Sequence, residues 1–244
     1  MKIIAVIPAR FNASRFPGKL MQLLGEKPVI RHVYDNVVST NLFNKVFVVT
    51  DSSIIYDEIV GAGGLAIMSK KQHESGSDRI AEAVADMDVD VIVNIQGDEP
   101  FIQKQAIENL IFSFNDSSVC VASLMKKTNR QDAQSPNVVK VVVGKKSDAL
   151  YFSRSVIPFE RSESQTVFTH VGIYAYKKEV LLTFTKQAPS ELERIEGLEQ
   201  LRYLESGIKI KMVETDYQSV SIDTLEDLEE ARALLNSQSY EKRK

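Results

Sequence analysis

The chain contains 244 residues, of which 43% are hydrophobic, and this suits one large α/β domain or a main domain with a smaller lobe. Its formal net charge of -3 at pH 7 argues against a general nucleic-acid binder, which would carry a broad basic face. The single cysteine, Cys120, excludes an internal disulfide and favours a reducing compartment.

No targeting or membrane segment is evident in the sequence. The apolar run at 3–7 is too short for a signal peptide, and no apolar run approaches the length needed to cross a bilayer. We therefore expect a cytoplasmic protein that inserts into no membrane and binds no nucleic acid. Cys120, in the apolar stretch 119–124, is expected to be a small buried hydrophobic residue.

Apolar periodicity in the first half of the chain predicts alternating strands and helices. The strand patterns are short and apolar, and the helix patterns place apolar residues three and four positions apart. Strands are predicted at 3–7, 45–50, 65–68, 89–95 and 119–125, and helices at 28–37, 53–60, 77–87 and 103–114. The β-α-β-α-β order at the start predicts a parallel sheet with crossover helices.

The second half of the chain contains more strand patterns than helix patterns. Strands are predicted at 137–143, 149–154, 169–176, 209–213 and 219–222, and an apolar stripe over 192–204 predicts a helix interrupted by Gly197. Thr224 and Asp227 are predicted to cap a final helix. We predict one domain over residues 1–244, an α/β fold with a Rossmann-like, mostly parallel sheet flanked by helices. Its core is placed at 1–125 plus 215–237, and a smaller β-rich lobe at 126–214.

The loop at residues 8–19 concentrates positive charge after the first predicted strand. In open α/β sheets ligands bind just beyond the carboxyl ends of the strands, so we expect Arg10, Arg15 and Lys19 to face one anion there. Arginine suits bidentate phosphate contacts, and lysine acts as a point charge. The loop therefore predicts a polyphosphate site, although its composition alone fits an exposed basic turn equally well.

Two familiar phosphate-binding motifs are excluded. A Walker A motif requires a glycine where this chain has Ala13 and a hydroxyl where it has Leu20. The segment 61–66 matches G-x-G-x-x-A, but it follows a helix pattern and precedes a strand pattern, the reverse of a dinucleotide-binding fold. We expect a helix C-cap and turn there, which counts against a dinucleotide-dependent oxidoreductase.

Acidic and small residues follow other predicted strands. Asp98 lies at the carboxyl end of the fourth strand, where a carboxylate facing a polyphosphate would suit Mg²⁺, although Asp-Glu-Pro could also form a plain turn. The segment 75–79 opens a helix, with Ser77 as the expected N-cap. Asp223 precedes the last helix cap and offers a second carboxylate.

Seven motifs, in order along the chain, resemble those of the 3-deoxy-manno-octulosonate cytidylyltransferase family of sugar nucleotidyltransferases. They are R-x-x-x-S-R-x-P-G-K at 10–19, S-G-S-D-R at 75–79, Q-G-D-E-P at 96–100, Y-F-S-R-S-V-I-P at 151–158, H-V-G-I-Y-A-Y at 170–176, L-E-Q-L-R at 198–202 and D-T-L-E-D-L at 223–228. Three departures are Ala13 at a frequent hydroxyl position, Leu225 for the usual proline and Phe159 for the usual tryptophan.

The resemblance implies a role for each matching residue. It implies nucleotide binding by Pro8, Ala9, Arg10, Ser14, Lys19, Ser75, Gly76 and Gln96. It implies sugar-acid binding by Arg79, Gln96, Arg154, His170, Tyr174, Glu199 and Gln200. It implies Mg²⁺ binding by Asp98 and Asp223, and catalysis by Arg10, Arg15, Lys19, Asp98 and Asp223.

The resemblance also implies a reaction. CMP would pass from CTP to the anomeric hydroxyl of 3-deoxy-manno-octulosonate (Kdo), with release of pyrophosphate, by in-line displacement assisted by Mg²⁺. It further implies a homodimer and a role in the synthesis of lipopolysaccharide or capsule precursors. Two alternatives stay open: a cytidylyltransferase for another acidic sugar, such as a sialic acid or an amino-substituted Kdo analogue, and a nucleotide-binding module without turnover.

Overall fold

The computed structural model describes residues 1–12, 16–73, 75–161, 167–217 and 220–241, which alternate between strands and helices. The strands are β1 (Ile3–Ala9), β2 (Leu23–Leu24), β3 (Lys27–Pro28), β4 (Lys45–Thr50), β5 (Ala66–Met68), β6 (Val91–Asn94), β7 (Val121–Thr128), β8 (Lys140–Val143), β9 (Ala149–Ser153), β10 (Val167–Lys177) and β11 (Ile210–Glu214). The α-helices are α1 (Val29–Ser39), α2 (Ser53–Gly61), α3 (Gly76–Val84), α4 (Lys104–Phe112), α5 (Lys178–Phe184), α6 (Glu191–Glu196), α7 (Leu201–Glu205) and α8 (Leu225–Glu241). Among these helices, none is both long and apolar enough to cross a membrane.

The chain divides into two compact units. Unit 1 comprises Met1–Lys104 and Gln218–Lys244, and unit 2 comprises Gln105–Tyr217. The chain passes from unit 1 to unit 2 after Lys104, at the start of α4, which is earlier than the boundary predicted near residue 125. It returns to unit 1 after Tyr217, close to the boundary predicted near residue 215. The assignment of nucleotide to one part and sugar to the other stays a prediction.

Unit 1 contains a parallel sheet in the order β6–β1–β4–β5. β1 pairs with both β4 and β6, with Ile4 opposite Lys45 and Ile3 opposite Val91, and β4 pairs with β5. The predicted β-α-β-α-β order is therefore confirmed. From β1 the chain runs outward to β4 and β5, and it then returns to β6 on the other side of β1. Strand order thus reverses between β1 and β6, and ligands of open α/β sheets bind at such a switch point.

The core of unit 1 fixes the ends of these strands. Ala5, Val6 and Ile7 of β1 are fully buried, as expected for a central parallel strand that is apolar on both faces. Helix α1 packs on β1 and β4 through an apolar stripe that includes Val33 and Val37. Each such buried side chain stabilises the fold by about 1.5–3 kcal/mol. The loops at the carboxyl edge are therefore held on a rigid base.

Unit 2 is built around β7. β10 pairs with β7 in the antiparallel direction and β11 pairs with it in parallel. β8 pairs in the antiparallel direction with both β10 and β9. The register between β10 and β7 shifts between Val171 and Tyr174, which marks a β-bulge. The predicted β-rich character of this part of the chain is confirmed.

The helix predicted over 192–204 is wrong as a single element. Helix α6 ends at Glu196, Gly197 has a left-handed backbone (φ 62°), and α7 begins at Leu201. A glycine adopts this conformation at little steric cost, so Gly197 forms the C-cap of α6 and ends the predicted helix there. Ile195, one member of the predicted apolar stripe, is exposed as a consequence.

Two further expectations are wrong. The described part of the predicted strand 219–222, residues 220–222, forms no strand. Instead, the N–H of Ile222 donates a single long-range hydrogen bond to the carbonyl oxygen of Asp98 (3.0 Å), in place of a sheet ladder. Cys120 is half-buried rather than buried, and it lies immediately before β7.

The glycine-rich segment 61–66 forms the predicted C-cap and turn. Gly63 has a left-handed backbone (φ 80°), and its N–H donates to the carbonyl of Val60 (2.9 Å). The N–H of Gly64 donates to the carbonyl of Ile59 (2.8 Å), which completes the hydrogen-bond pattern of a Schellman motif. The segment therefore ends α2 and opens no helix.

Replacing Gly18 by Ala is expected to lower the free energy of unfolding by about 1–2 kcal/mol. Gly18 has a left-handed backbone (φ 70°), which a residue with a Cβ adopts only at a cost. Denaturation in urea would measure the loss. Gly61→Ala is the matched control, because a Cβ there meets nothing within 4 Å. That variant should be neutral or slightly stabilised, and equal losses in both would contradict the conformational explanation.

Candidate active site

The segments that follow β1 and β6 meet at the switch point of the unit 1 sheet. β1 ends at Ala9, and residues 96–98 follow β6. A Cβ added to Gly97 would lie 3.3 Å from the carbonyl oxygen of Pro8, so this turn packs tightly against the end of β1. The basic loop and the acidic turn are therefore neighbours, as the sequence predicted.

Lys19 lies between the two predicted metal ligands. Its Nζ is 2.5 Å from Asp98 Oδ2 and 2.8 Å from Asp223 Oδ1. Only 12% of the Lys19 side chain is exposed, so solvent screens these contacts weakly. Burial opposes the ammonium charge, but the two carboxylates outweigh burial and raise the pKa of Lys19 above its ordinary value. Lys19 is thus a cation held between two acids.

Asp223 is positioned by the cap of the last helix. Asp227 Oδ2 accepts hydrogen bonds from the N–H groups of Asp223 (2.9 Å) and Thr224 (2.7 Å). In return, Thr224 Oγ1 accepts one from the N–H of Asp227 (3.2 Å). Burial opposes the charge on Asp227, but these hydrogen bonds lower its pKa. The predicted cap is confirmed, and it leaves the carboxylate of Asp223 to contact Lys19.

The donor set fits a hard cation that arrives with a polyphosphate. Asp98 and Asp223 already share one cation, the ammonium of Lys19. Within the described residues, no cluster of three or more His, Cys, Asp or Glu could hold a metal ion by itself. Mg²⁺ commonly binds through one or two carboxylates and completes its shell with water and phosphate oxygens.

The start of α3 lies against the end of β1. A Cβ added to Gly76 would lie 3.4 Å from Pro8 Cγ. Helix α3 begins at Gly76, and its N-cap is Ser75, whose Oγ accepts from the N–H of Asp78 (3.1 Å). The prediction of Ser77 as the N-cap is wrong, because the helix already includes that residue. Contact between residues 75–76 and a cytosine base stays a prediction.

A cavity of about 710 Å³ opens beside the basic loop of unit 1. Its lining includes three cationic side chains, Arg10, Lys71 and Arg79. Arg79 is buried, and its guanidinium donates to Asp51 Oδ2 (2.7 Å) and Ser69 Oγ (3.0 Å). These contacts hold Arg79 within unit 1, and its contact with a sugar acid stays a prediction.

Of the other residues of unit 1 that are predicted to bind the nucleotide, some lie within the described part of the chain and some lie outside it. Ala9 is buried at the end of β1. The Gln96 amide donates a long hydrogen bond to Asn94 Oδ1 (3.4 Å). Ser14 and Arg15 lie outside the described residues, so their contacts with phosphate stay predictions.

Arg154, the predicted carboxylate clamp, follows β9 in unit 2. Its guanidinium donates to the carbonyl oxygens of Glu196 (2.8 Å), Pro136 (2.9 Å) and Gly197 (3.3 Å). The Glu196 side chain accepts from the N–H of Arg154 (2.9 Å) and from Ser153 Oγ (2.6 Å). Burial opposes the charge on Glu196, but these hydrogen bonds lower its pKa. Arg154 must therefore exchange backbone contacts if it is to bind a substrate carboxylate.

His170 and Tyr174 lie together on β10 of unit 2. Their ring centroids are 5.1 Å apart, and Phe152 packs edge-on against His170 at 5.3 Å. Burial lowers the pKa of His170 to about 3. Burial, with the nearby Tyr176 and Glu199, raises the pKa of Tyr174 well above its ordinary value. Both side chains are consequently neutral near pH 7.

Glu199 and Gln200 lie in the turn between α6 and α7. Gln200 is buried at the N-cap position of α7. The carbonyl of Glu199 accepts from the N–H of Arg202 (3.1 Å). Unit 2 thus contains the predicted sugar-acid residues Arg154, His170, Tyr174, Glu199 and Gln200, whereas Arg79 and Gln96 belong to unit 1.

The wild-type protein is expected to lose stability, relative to His170→Gln, as the pH falls from about 6.5 toward about 4. In this window His170 takes up a proton in the unfolded chain but stays neutral in the folded protein, whose His170 has a pKa of about 3. Since the unfolded state binds more protons, stability falls by up to about 1.4 kcal/mol per pH unit. Urea denaturation of both proteins at neutral and mildly acidic pH would measure the difference. Parallel pH profiles would contradict the prediction.

Comparison with known proteins places this geometry in a family. The cytidylyltransferase family pattern matches residues 4–210. The chain is 57% identical to a 3-deoxy-manno-octulosonate cytidylyltransferase of Flavobacterium johnsoniae, over 96% of this chain and 99% of that protein. The chain belongs to the 3-deoxy-manno-octulosonate cytidylyltransferase family. The family predicted from the motifs is confirmed.

Two further comparisons support this membership. The chain is 53% identical to the cytidylyltransferase of the same name from Christiangramia forsetii, over 96% of this chain and 97% of that protein. A solved structure described as CMP:2-keto-3-deoxy-manno-octonic acid synthetase complexed with CTP matches with a TM-score of 0.94 and 39% identity, and covers 98% of this chain and 100% of that one. The predicted fold class of this cytidylyltransferase is therefore confirmed.

Sequence reasoning missed several residues that hold the predicted site of this cytidylyltransferase. Asp51 holds Arg79, and Glu196 holds Arg154, at sequence separations of 28 and 42 residues. No local pattern indicates such distant partners. Ser123 contacts His170 and had one visible signal, because it is a hydroxyl residue in the apolar strand predicted at 119–125.

Proposed function

We propose that this chain transfers CMP from CTP to the anomeric hydroxyl of Kdo and releases pyrophosphate. The observation that carries the proposal is the contact of Lys19 with both Asp98 and Asp223 at the switch point of the parallel sheet of unit 1, where ligands of open α/β sheets bind. The names of relatives at 57% and 53% identity support Kdo as the acceptor.

In this reaction the protein aligns the reactants and neutralises charge. The anomeric hydroxyl loses its proton to solvent, and its oxygen forms a bond to the α-phosphorus of CTP. The bond from that phosphorus to the bridging oxygen breaks, and pyrophosphate departs with that oxygen. Phosphoryl-type transfer requires little covalent participation by the protein. Arg10, Arg15 and Lys19 are proposed to stabilise the charge on the departing pyrophosphate.

Asp98 and Asp223 are the residues that would hold Mg²⁺. When bound, Mg²⁺ polarises the α-phosphate and lowers the pKa of the attacking hydroxyl. Both carboxylates contact Lys19 in the structure. We infer that Lys19 exchanges these carboxylates for phosphate oxygens when CTP binds, because its ammonium then neutralises the leaving group.

Unit 2 is proposed to supply most of the contacts to the sugar acid. The Arg154 guanidinium has the fork geometry that binds a carboxylate bidentately. The neutral His170 and Tyr174 can exchange hydrogen bonds with sugar hydroxyls. The remaining proposed sugar-acid residues are Arg79, Gln96, Glu199 and Gln200.

The setting of the reaction is also a proposal. A single cysteine suits the reducing cytoplasm, where CTP is available. A homodimer and a role in lipopolysaccharide or capsule precursor synthesis are proposed from the family resemblance. Light scattering of the purified protein would test the dimer.

Pyrophosphate release from CTP and Mg²⁺ by the purified protein tests the proposed function. Release should require Kdo, and reactions without an acceptor provide the control. Release with a sialic acid but not with Kdo would overturn the acceptor. CTP binding without release for any acidic sugar would overturn the transferase activity itself.

A further inference from the structure

Ser123 makes an unusual set of contacts within the strand pair β7–β10 of unit 2. The residue is fully buried in an otherwise apolar stretch. Its Oγ lies 2.8 Å from His170 Nε2, 2.8 Å from the carbonyl oxygen of Ile173 and 3.4 Å from that of Val171. The hydroxyl has one hydrogen but three polar neighbours, so the proton positions can be deduced from the chemistry of those neighbours.

The short contact between two oxygens decides where that hydrogen lies. A carbonyl oxygen only accepts hydrogen bonds, so the 2.8 Å contact between Ser123 and Ile173 requires the hydroxyl hydrogen between them. The contact with His170 must then be donated by the ring, through Nε2–H, to the hydroxyl oxygen. A neutral imidazole carries one N–H, so His170 Nδ1 retains a lone pair.

The β-bulge explains why Ser123 has a carbonyl acceptor. Ser123 is opposite Tyr174, whereas its neighbour Leu124 is opposite Val171, so β10 contains extra residues at this point. The altered register brings the carbonyls of both Val171 and Ile173 within reach of one hydroxyl. Bulges are typical of places where a side chain is redirected next to a functional site.

We propose that Ser123 is a positioning residue that fixes His170 as its Nε2–H tautomer, so that Nδ1 accepts a hydrogen bond from a hydroxyl of the sugar acid. This inference rests on the proposed function, because it concerns the same sugar-acid residues. The rings of Phe152 and Tyr174 pack against the imidazole, at centroid distances of 5.3 Å and 5.1 Å, and restrain its orientation. His170 is consequently an acceptor for the substrate and not a donor.

The tautomer can be measured directly, without turnover, by ¹⁵N NMR of the protein labelled at histidine. The chain has three histidines, and the spectrum of His170→Gln assigns the resonances of His170. In the wild type we expect a protonated Nε2 and an unprotonated Nδ1 near neutral pH. A protonated Nδ1 or an imidazolium in the wild type would overturn the proposal.

The contribution to substrate binding is tested by steady-state kinetics of Ser123→Ala. We expect KM for Kdo to rise about tenfold, which corresponds to about 1.4 kcal/mol, while KM for CTP changes less than twofold. Thr128→Val is the matched control, because it removes a hydroxyl from the same strand that contacts Thr169 Oγ1 (2.7 Å) and not His170. Equal effects of the two variants on KM for Kdo would reduce Ser123 to a structural residue and overturn the proposal.

The two measurements separate this inference from the proposed function. If the wild type released no pyrophosphate with Kdo, the proposed function would fail, while the NMR spectrum would still decide the tautomer. If Ser123→Ala did not fold, the wild-type spectrum would remain decisive. Ser123→Thr keeps the hydroxyl. We therefore expect this variant to retain both the Nε2–H tautomer of His170 and the wild-type KM for Kdo.

Discussion

Replacing Asp98 by Asn is expected to reduce kcat/KM for CMP transfer by on the order of 10²–10³-fold, the usual cost of losing one preorganised charged group. Asp98 lies at the switch point, contacts Lys19 at 2.5 Å, and is one of two carboxylates proposed to hold Mg²⁺. Asparagine retains the size of the side chain but removes the charge. Lys19 would keep Asp223 as a partner, so the free energy of unfolding should change by less than about 1 kcal/mol.

Asp35→Asn is the matched control for this prediction. Asp35 also accepts from two cations of unit 1, Lys27 (2.8 Å) and Arg31 (2.7 Å), but it lies on α1, and nothing proposed for the reaction involves it. Its activity should equal that of the wild type. Pyrophosphate release in both variants, at saturating Kdo and varied Mg²⁺, measures the difference. Activity of Asp98→Asn within threefold of Asp35→Asn would remove Asp98 from the mechanism.

Asp98 and Asp223 should also act as a unit. If both hold one cation, the double variant Asp98→Asn with Asp223→Asn should be little less active than either single variant, because the first change already disrupts the site. The same assay measures this. If the double variant instead lost activity by the product of the two single losses, Asp98 and Asp223 would have independent roles.

The sequence predicted that the loop after β1 and the turn after β6 would be neighbours, because each follows a buried strand of one parallel sheet. The apolar run at 45–50 matched β4 residue for residue, and parallel strands with crossover helices bring their carboxyl ends to one edge. Lys19, Asp98 and Asp223 are far apart in sequence, yet each follows or precedes an element that ends at that edge. Topology predicted that the segments of Lys19 and Asp98 would be neighbours, whereas Asp223 was placed beside them by the motif resemblance, because the described residues 220–222 form no strand.

The partners of the predicted arginines could not be derived in the same way. Arg79 is held by Asp51, and Arg154 by Glu196 and neighbouring carbonyls, through tertiary contacts that no local period records. The prediction that one helix continues past Gly197 was wrong for a related reason. Its helix propensity predicts only a modest cost, whereas the left-handed backbone at this position ends the helix altogether.

Replacing Lys19 by Met should separate the two tasks of this residue. In the absence of ligands the ammonium contacts both Asp98 and Asp223, so its removal takes away the cation that the two carboxylates share. We expect the free energy of unfolding to fall by about 1–3 kcal/mol, less than for a fully buried pair because Asp223 is 38% exposed. We also expect kcat/KM to fall by on the order of 10²-fold, because the leaving pyrophosphate loses one cation.

The response to Mg²⁺ distinguishes an electrostatic role of Lys19 from simple packing. Without CTP, Mg²⁺ should raise the melting temperature of Lys19→Met more than that of the wild type, since the variant leaves both carboxylates without the competing ammonium. Adding Asp98→Asn should restore the stability of Lys19→Met but not its activity, because one negative charge is then absent. Lys27→Met, which removes a lysine from Asp35, is the control and should show neither effect. A Lys19→Met variant that is as stable as the wild type and indifferent to Mg²⁺ would contradict the shared-cation arrangement, and with it the exchange of carboxylates for phosphates proposed for Lys19.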